Sequence, residues 1–155
     1  MNIIPLHEDW LAAMCELWNR ELGGLFPMRE QLMRQNTFQD QNVYAAGSKL
    51  AVDDEGRLAG FVIAKIWQEE QRSMKLGDGG GWIQAIVVRS DVRGQGVGSR
   101  LLEQAEQALR DAGASWLMSD GILGTTFRGF PMSCPMPKPG LRAKVMKCCT
   151  TYMTW

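Results

Sequence analysis

A mixed α/β fold is predicted by three features of the sequence. Two helical patterns open the chain, and two apolar runs joined by a tight turn follow them. A third apolar run then passes through a glycine-rich turn straight into the most regular helical pattern, with one more short apolar run after it. The order is helix, helix, hairpin, strand, glycine loop, helix, strand, and the last three elements read as a parallel strand-helix-strand unit.

Ile3–Pro5 reads as a short extended start. After Asp9, the residues Trp10, Leu11, Met14, Leu17 and Trp18 recur at helical spacing on one face. Gly23-Gly24 is expected to stop this helix through a left-handed conformation. A second helix is predicted over Met28–Asn36, with Met28, Leu32 and Met33 on its apolar side and Pro27 at a tolerated first-turn place. Ser48–Asp53 and Arg57–Trp67 read as strands joined at Asp53-Asp54-Glu55-Gly56, where glycine permits positive φ. Leu58–Ala64 is nearly all apolar, so both of its faces are expected to be covered. Gln68–Gly81 is polar and ends in three glycines, the pattern of a mobile loop. Trp82–Val88 is the next strand. From Val97 to Ala112 the residues Leu101, Leu102, Ala105, Leu109 and Ala112 form one stripe opposite Glu103, Glu106, Gln107, Arg110 and Asp111. Gly113 caps that helix, and Ser115–Ser119 starts another strand.

At 155 residues the chain suits one domain that can bury a core without staples. No apolar run approaches the ~20 residues that span a bilayer. The start lacks a basic segment followed by an apolar stretch, so the expectation is a cytoplasmic protein without a membrane. Four cysteines do not make a disulfide framework at this length. Cys15 falls inside the first helix as a small apolar group, and Cys134, Cys148 and Cys149 have no histidine partner or paired zinc spacing, so no metal is expected. Nor is nucleic acid an expected partner, since basic residues are not interleaved with aromatics.

The chemistry is carried by Ile86-Val87-Val88-Arg89-Ser90-Asp91-Val92-Arg93-Gly94-Gln95-Gly96-Val97-Gly98-Ser99. A helix's first amides have no intrahelical partner, and its dipole adds partial positive charge there. Glycines at 94, 96 and 98 remove Cβ atoms that would hold a phosphate away, and Arg93 adds charge. Each charge-assisted bond contributes ~1.5–3 kcal/mol, so three or four anchor a pyrophosphate. A mere connector needs neither three spaced glycines nor the arginine. Ser99-Arg100 after Gly98 excludes the nucleotide-triphosphatase ending, and the spacing also differs from the dinucleotide fingerprint.

Arg93, Gly96 and Gly98 do match the Arg/Gln-x-x-Gly-x-Gly/Ala signature, and the sequence resembles the GNAT superfamily of acyl-CoA N-acyltransferases over residues 1–120, most sharply over 82–118. The resemblance implies a mostly antiparallel sheet with a splayed parallel pair and flanking helices. It implies acetyl-CoA as co-substrate, with the amides of Arg93, Gly94, Gln95, Gly96, Val97, Gly98 and Ser99 on the pyrophosphate. The strand edge at Ile86, Val87 and Val88 would hold the pantetheine arm, with an amide near Val87 or Val88 polarising the acetyl carbonyl. The reaction implied is direct attack of a neutral primary amine, on a small molecule or a peptide, at the thioester. The alternative is an impaired CoA-binding or partner-binding remnant of the same fold.

No catalytic residue is assigned. Glu69, Glu70, Asp78 and Asp120 read as surface charges and His7 as a surface residue, while Gln84 suits either a hydrogen bond to substrate or water or a solvent-facing strand position. Residues 1–120 carry a net charge of −5; residues 121–155 carry five basic residues, no acid and four of the six prolines. They lack the helix, strands and tyrosine that the resemblance leads one to expect; Tyr152 has the wrong context. The coding possibilities of Gly121–Cys134 in a shifted frame include Tyr-Phe-Pro-Gly-Val-Pro-Asn, similar to a segment that follows this strand in some members. The expectation is a core at 1–120 and an atypical tail at 121–155, arising either from a frame slip near residue 120 or from an unusual, disordered or swapped C-terminus. Loss of strands there leaves a sheet edge that favours a homodimer.

Overall fold

Strand β3 (Leu58–Ile66) lies at the centre of the molecule, and all of its residues except the last are buried. A computed structural model of the chain describes residues 1–67, 80–114 and 116–119. The expected tail at 121–155 and the polar stretch at 68–79 lie outside the described residues, and with them Glu69, Glu70, Asp78, Asp120, Cys134, Cys148, Cys149 and Tyr152.

Among the described residues five strands form one sheet in chain order: β1 (Asn2–Pro5), β2 (Lys49–Val52), β3, β4 (Gly80–Val88) and β5 (Trp116–Ser119). The first three pairings are antiparallel and β4–β5 is parallel, as the strand-helix-strand order predicts. Helices α1 (Leu11–Leu22) and α2 (Glu30–Asn36) cover one face, and α3 (Val97–Asp111) covers the other.

Each face has its own core. Leu50, Phe61, Ile63, Ala85 and Val87 meet Leu11, Met14, Leu17, Trp18 and Met33 on the α1 side. Ala51, Ala59, Val62, Ala64 and Ile83 meet Val97, Leu101, Ala105 and Leu109 on the α3 side. Burying a Val, Leu, Ile or Phe contributes about 1.5–3 kcal/mol each, so both layers are secured by apolar burial. The α3 side of the sheet is built from small residues, which lets the helix come close. At Gly60 an added Cβ would lie 2.8 Å from the Val87 carbonyl oxygen and 3.3 Å from Leu101 Cδ1.

Two irregularities shift the sheet's alternation. Ala51 faces Gly60 while Val52 faces Leu58, which makes Ala59 an extra residue; Ile63 faces Ala85 while Ala64 faces Ile83, which makes Gln84 another. These are β-bulges, which re-aim side chains and bend a strand.

Several expectations are corrected. Gly23 ends α1 in right-handed geometry (φ −59°, ψ −24°) rather than left-handed. The segment after it is tied down instead by Asn19, which accepts from the Met28 amide and donates to the Met28 carbonyl, both at 2.7 Å. Helix α2 starts at Glu30, so Met28 and Pro27 precede it, and Leu32 is 44% exposed because only Met33 turns into the core. Ala112 is exposed too; the stripe of α3 is completed at its other end by Val97. Gly113 does cap α3 with φ +85°, and Ala114 donates back to the Leu109 carbonyl at 3.0 Å. Among the described residues no helix is long and apolar enough to cross a membrane.

The β2–β3 hairpin turns at Gly56 (φ +77°) around Asp53. Its carboxylate accepts from the amides of Arg57 and Glu55 and from the guanidinium groups of Arg57 and Arg89. The Arg57 amide bond first, then the two arginines, hold this carboxyl down at about 2. A depressed folded-state pKa contributes stability above the unfolded value of about 3.9 and loses it as pH falls through the folded one. Wild type is therefore expected to lose stability more steeply than Asp53→Asn between about pH 4 and pH 2, read from urea midpoints at each pH. Parallel profiles would show that Asp53 is not a source of the acid lability.

Candidate functional site

Beyond Val88 the chain leaves the sheet at a fixed point. Arg89 is buried; its amide donates to the Ala59 carbonyl at 2.9 Å, and its guanidinium donates to Asp91 Oδ1 at 2.6 Å, Asp53 Oδ2 at 3.0 Å and the Leu58 carbonyl at 3.2 Å. Asp91 is held below the usual carboxylate range by the Arg89 guanidinium. A buried arginine is tolerable only when paired this way, and here the pairing ties the end of β4 to the β2–β3 turn.

A single 3₁₀ turn, Ser90–Val92, leads to Arg93, and the glycine turn follows. Gly94 (φ +77°) and Gly96 (φ +79°) both adopt the left-handed region that disfavours a side chain. Gly96 is the N-cap of α3, and no side chain caps that helix. Among the described residues the amides of Gly94, Gln95, Gly96, Val97, Gly98 and Ser99 donate no hydrogen bond; the first inward bond runs from the Arg100 amide to the Gly96 carbonyl. Among the described residues, no atom beyond the chain neighbours lies within 4 Å of a Cβ built on Gly94 or Gly96. Unpaired amides at a helix N-terminus beside open space form an anion cradle. A Cβ on Gly98 would meet Val88 Cγ2 at 3.4 Å, an ordinary contact, so Gly98 lies closer to β4 than the other two glycines.

The Arg93 side chain is also placed differently from expectation. It folds back, donating through Nε to the Val88 carbonyl at 3.0 Å and through Nη2 to Glu21 Oε2 at 2.5 Å. Glu21, on the last turn of α1, also accepts from the Ser90 amide at 3.0 Å. Sequence reasoning passed over Glu21. The available signal was an acid near a helix C-terminus, where the dipole disfavours it.

Along β4, Val87 is buried on the α1 side, while Ile86 and Val88 pack on the α3 side. Pairing with β5 is described from Gly80↔Trp116 to Ile83↔Ser119, so Gln84 through Val88 lie beyond the last described pair. Gln84, the bulge residue, has a buried Oε1 that accepts no hydrogen bond among the described residues. An unmet buried acceptor costs about 1–3 kcal/mol, and native chains rarely keep one without a use. Trp82 stands two residues before it, with its ring 6.3 Å from Trp67 at 41°. Lys65, opposite Trp82, is buried and ion-paired with Asp40. Burial works to raise the Asp40 carboxyl, but the Lys65 ammonium and the Asn42 amide outweigh it and hold it below the usual range.

A separate cleft of about 390 Å³ lies between α1, the β2–β3 turn and the end of β4. Its three arginines, Arg20, Arg57 and Arg89, are each paired with carboxylates, and Glu16 and Asp91 also line it, so it is less suited to an anion than the glycine turn. His7, as expected, lies at the surface, where its ring accepts from the Asp9 amide.

A strand-to-helix glycine turn on a sheet whose β4 and β5 run parallel defines the class, and comparison with known proteins agrees. The family model described as "Acetyltransferase (GNAT) family" matches residues 11–120. The chain belongs to that family, an enzyme family whose co-substrate is acetyl-CoA. Its fold is similar to the ribosomal-protein-S18-alanine N-acetyltransferase of Escherichia coli (TM-score 0.59, 22% identity), covering 76% of this chain and 64% of that one. It is also similar to an aminoglycoside 6'-N-acetyltransferase of Acinetobacter haemolyticus (TM-score 0.60, 23% identity), covering 89% and 98% of the two chains. A third similar fold is the glucosamine N-acetyltransferase region of a fungal multi-domain β-N-acetylglucosaminidase (TM-score 0.68, 19% identity), covering 99% of this chain and 17% of that one. No curated protein sequence matches.

Proposed function

We propose that the chain is an N-acetyltransferase that moves the acetyl group of acetyl-CoA to a primary amine of a small molecule or peptide. The observation that carries this reading is the row of unpaired amides from Gly94 to Ser99 around two left-handed glycines. Those amides suit a pyrophosphate, and the backbone of Ile86, Val87 and Val88 leads from it toward Gln84. In the transfer, the amine nitrogen bonds to the thioester carbonyl carbon, the carbon–sulfur bond breaks, and the amine's proton is balanced by protonation of the departing thiolate. An amine resembling lysine has an unperturbed pKa of about 10.4, so only its neutral minority attacks at neutral pH. The three similar structures are N-acetyltransferases of a protein alanine, an aminoglycoside and glucosamine, which supports an amine acceptor without choosing among them.

Gln84 is read as an acceptor-side residue. The test is acetyl transfer to an aminoglycoside, glucosamine and an alanyl peptide, followed by thiol release and product mass, in wild type and Gln84→Met. We expect transfer to one acceptor class, and a drop of about tenfold in kcat/KM in the variant. Its stability should rise by about 1 kcal/mol if the buried acceptor, unmet among the described residues, is removed. Bound acetyl-CoA with no acetylated product would leave a binding protein instead of an enzyme. A variant that loses stability and activity together would make Gln84 a structural residue.

A further inference from the structure

We propose that Glu21 is a positioning residue for acetyl-CoA, holding the pyrophosphate turn in register from the opposite face of the sheet; this rests on the reading of the glycine turn given above. Glu21 sits at the next-to-last position of α1, where a negative charge opposes the helix dipole. Yet its side chain is only 6% exposed. A carboxylate kept from water at an unfavourable helix end needs compensating bonds, and all of those described come from one place. Oε1 accepts from the Ser90 amide, at the start of the turn that leaves β4, and Oε2 accepts from the Arg93 guanidinium, at its end. Arg93 in turn donates from Nε to the Val88 carbonyl. The three contacts close a ring around Ser90–Val92, so the direction in which Gly94 begins is set by α1 as well as by β4.

Two opposed effects decide the sign. A carboxylate near a phosphate site repels the ligand and neutralises Arg93, so its removal would tighten binding on charge alone. Against this, the amides must be pre-aimed, and an unheld turn must be ordered when the ligand binds, at a cost in conformational entropy. Arg93 is already directed at Val88 and Glu21 rather than toward the open space at Gly94 and Gly96, so the ligand's contacts are the amides, and positioning dominates.

The measurement is calorimetric acetyl-CoA binding by wild type, Glu21→Gln, Glu21→Ala and Arg93→Gln, beside steady-state KM values and thermal midpoints. Gln keeps the Ser90 acceptor and loses only the ion pair, which is half in water on the Arg93 side (47% exposed) and is discounted accordingly. Affinity should fall about threefold for Glu21→Gln and about tenfold for Glu21→Ala. KM for the amine should be unchanged, and Glu21→Gln should add no further loss on an Arg93→Gln background. Should Glu21→Ala fail to fold, Glu21→Gln and Arg93→Gln carry the same comparison. Wild-type affinity in both folded variants, or tighter binding at low salt, overturns the proposal while the acetyl-CoA site stands. A folded wild type that binds no acetyl-CoA removes the site itself, and the role of Glu21 with it.

Discussion

Replacing Gly96 with glutamate is expected to lower acetyl-CoA affinity by about a hundredfold or more while leaving a folded protein, and the two consequences separate cleanly. Gly96 holds φ +79° as the N-cap of α3. A side chain there costs about 1–2 kcal/mol for the left-handed conformation. A carboxylate at a helix N-terminus recovers about 0.3–1 kcal/mol from the dipole. The net loss of stability is small, and among the described residues no atom beyond the chain neighbours lies within 4 Å of the new Cβ to resist it. Binding is affected very differently. The new carboxylate occupies the anion's place and takes the amides that the pyrophosphate would use. Losing two charge-assisted bonds of about 1.5–3 kcal/mol each exceeds the roughly 2.8 kcal/mol that a hundredfold requires. Gly96→Ala bears the same backbone cost without the charge, so calorimetry and melting of the pair isolate the electrostatic part. Unaltered affinity in Gly96→Glu would move the pyrophosphate away from this turn.

The turn was legible because everything that makes it is local. Gly94, Gly96 and the stripe Leu101, Ala105 and Leu109 lie within sixteen residues of one another, and both their conformations and their burial follow from short-range rules. What the sequence concealed depends on distant partners. Glu21 reaches Ser90 and Arg93 across separations of 69 and 72 residues, and only the sheet's two-sided packing brings them together. The Gln84 bulge was hidden for another reason: Trp82–Val88 is apolar almost throughout, so no period-2 alternation exists to show a slipped phase. Leu32 was misplaced because α2 is a seven-residue helix that buries only Met33, and a pattern that short has more than one plausible inner face.

Leu101→Ala is expected to cost the upper part of the ~2–5 kcal/mol range for buried leucines, because the site cannot collapse around the loss. Leu101 is fully buried in the second turn of α3, and the β2 and β3 residues on that side are mostly small: Ala51, Ala59, Gly60 and Ala64 beside Val62. Methyl groups on a hydrogen-bonded backbone have no rotamers with which to fill a cavity, so the vacated space persists. A loss of that size is a large fraction of the ~5–15 kcal/mol that holds a domain together. On the proposed reading the same helix presents its free amides to the pyrophosphate, so acetyl-CoA should restore part of the stability. At a hundred times its dissociation constant a ligand adds about 2.7 kcal/mol to the folded state. Urea unfolding of Leu101→Ala with and without acetyl-CoA reads both quantities, and Leu102→Ala, one residue on and only partly buried, provides the control at under about 1 kcal/mol. Equal losses at the two positions would mean that α3 is not held to β3 through the 101 side chain. A large loss that acetyl-CoA leaves untouched would mean that the ligand does not engage the α3 mount.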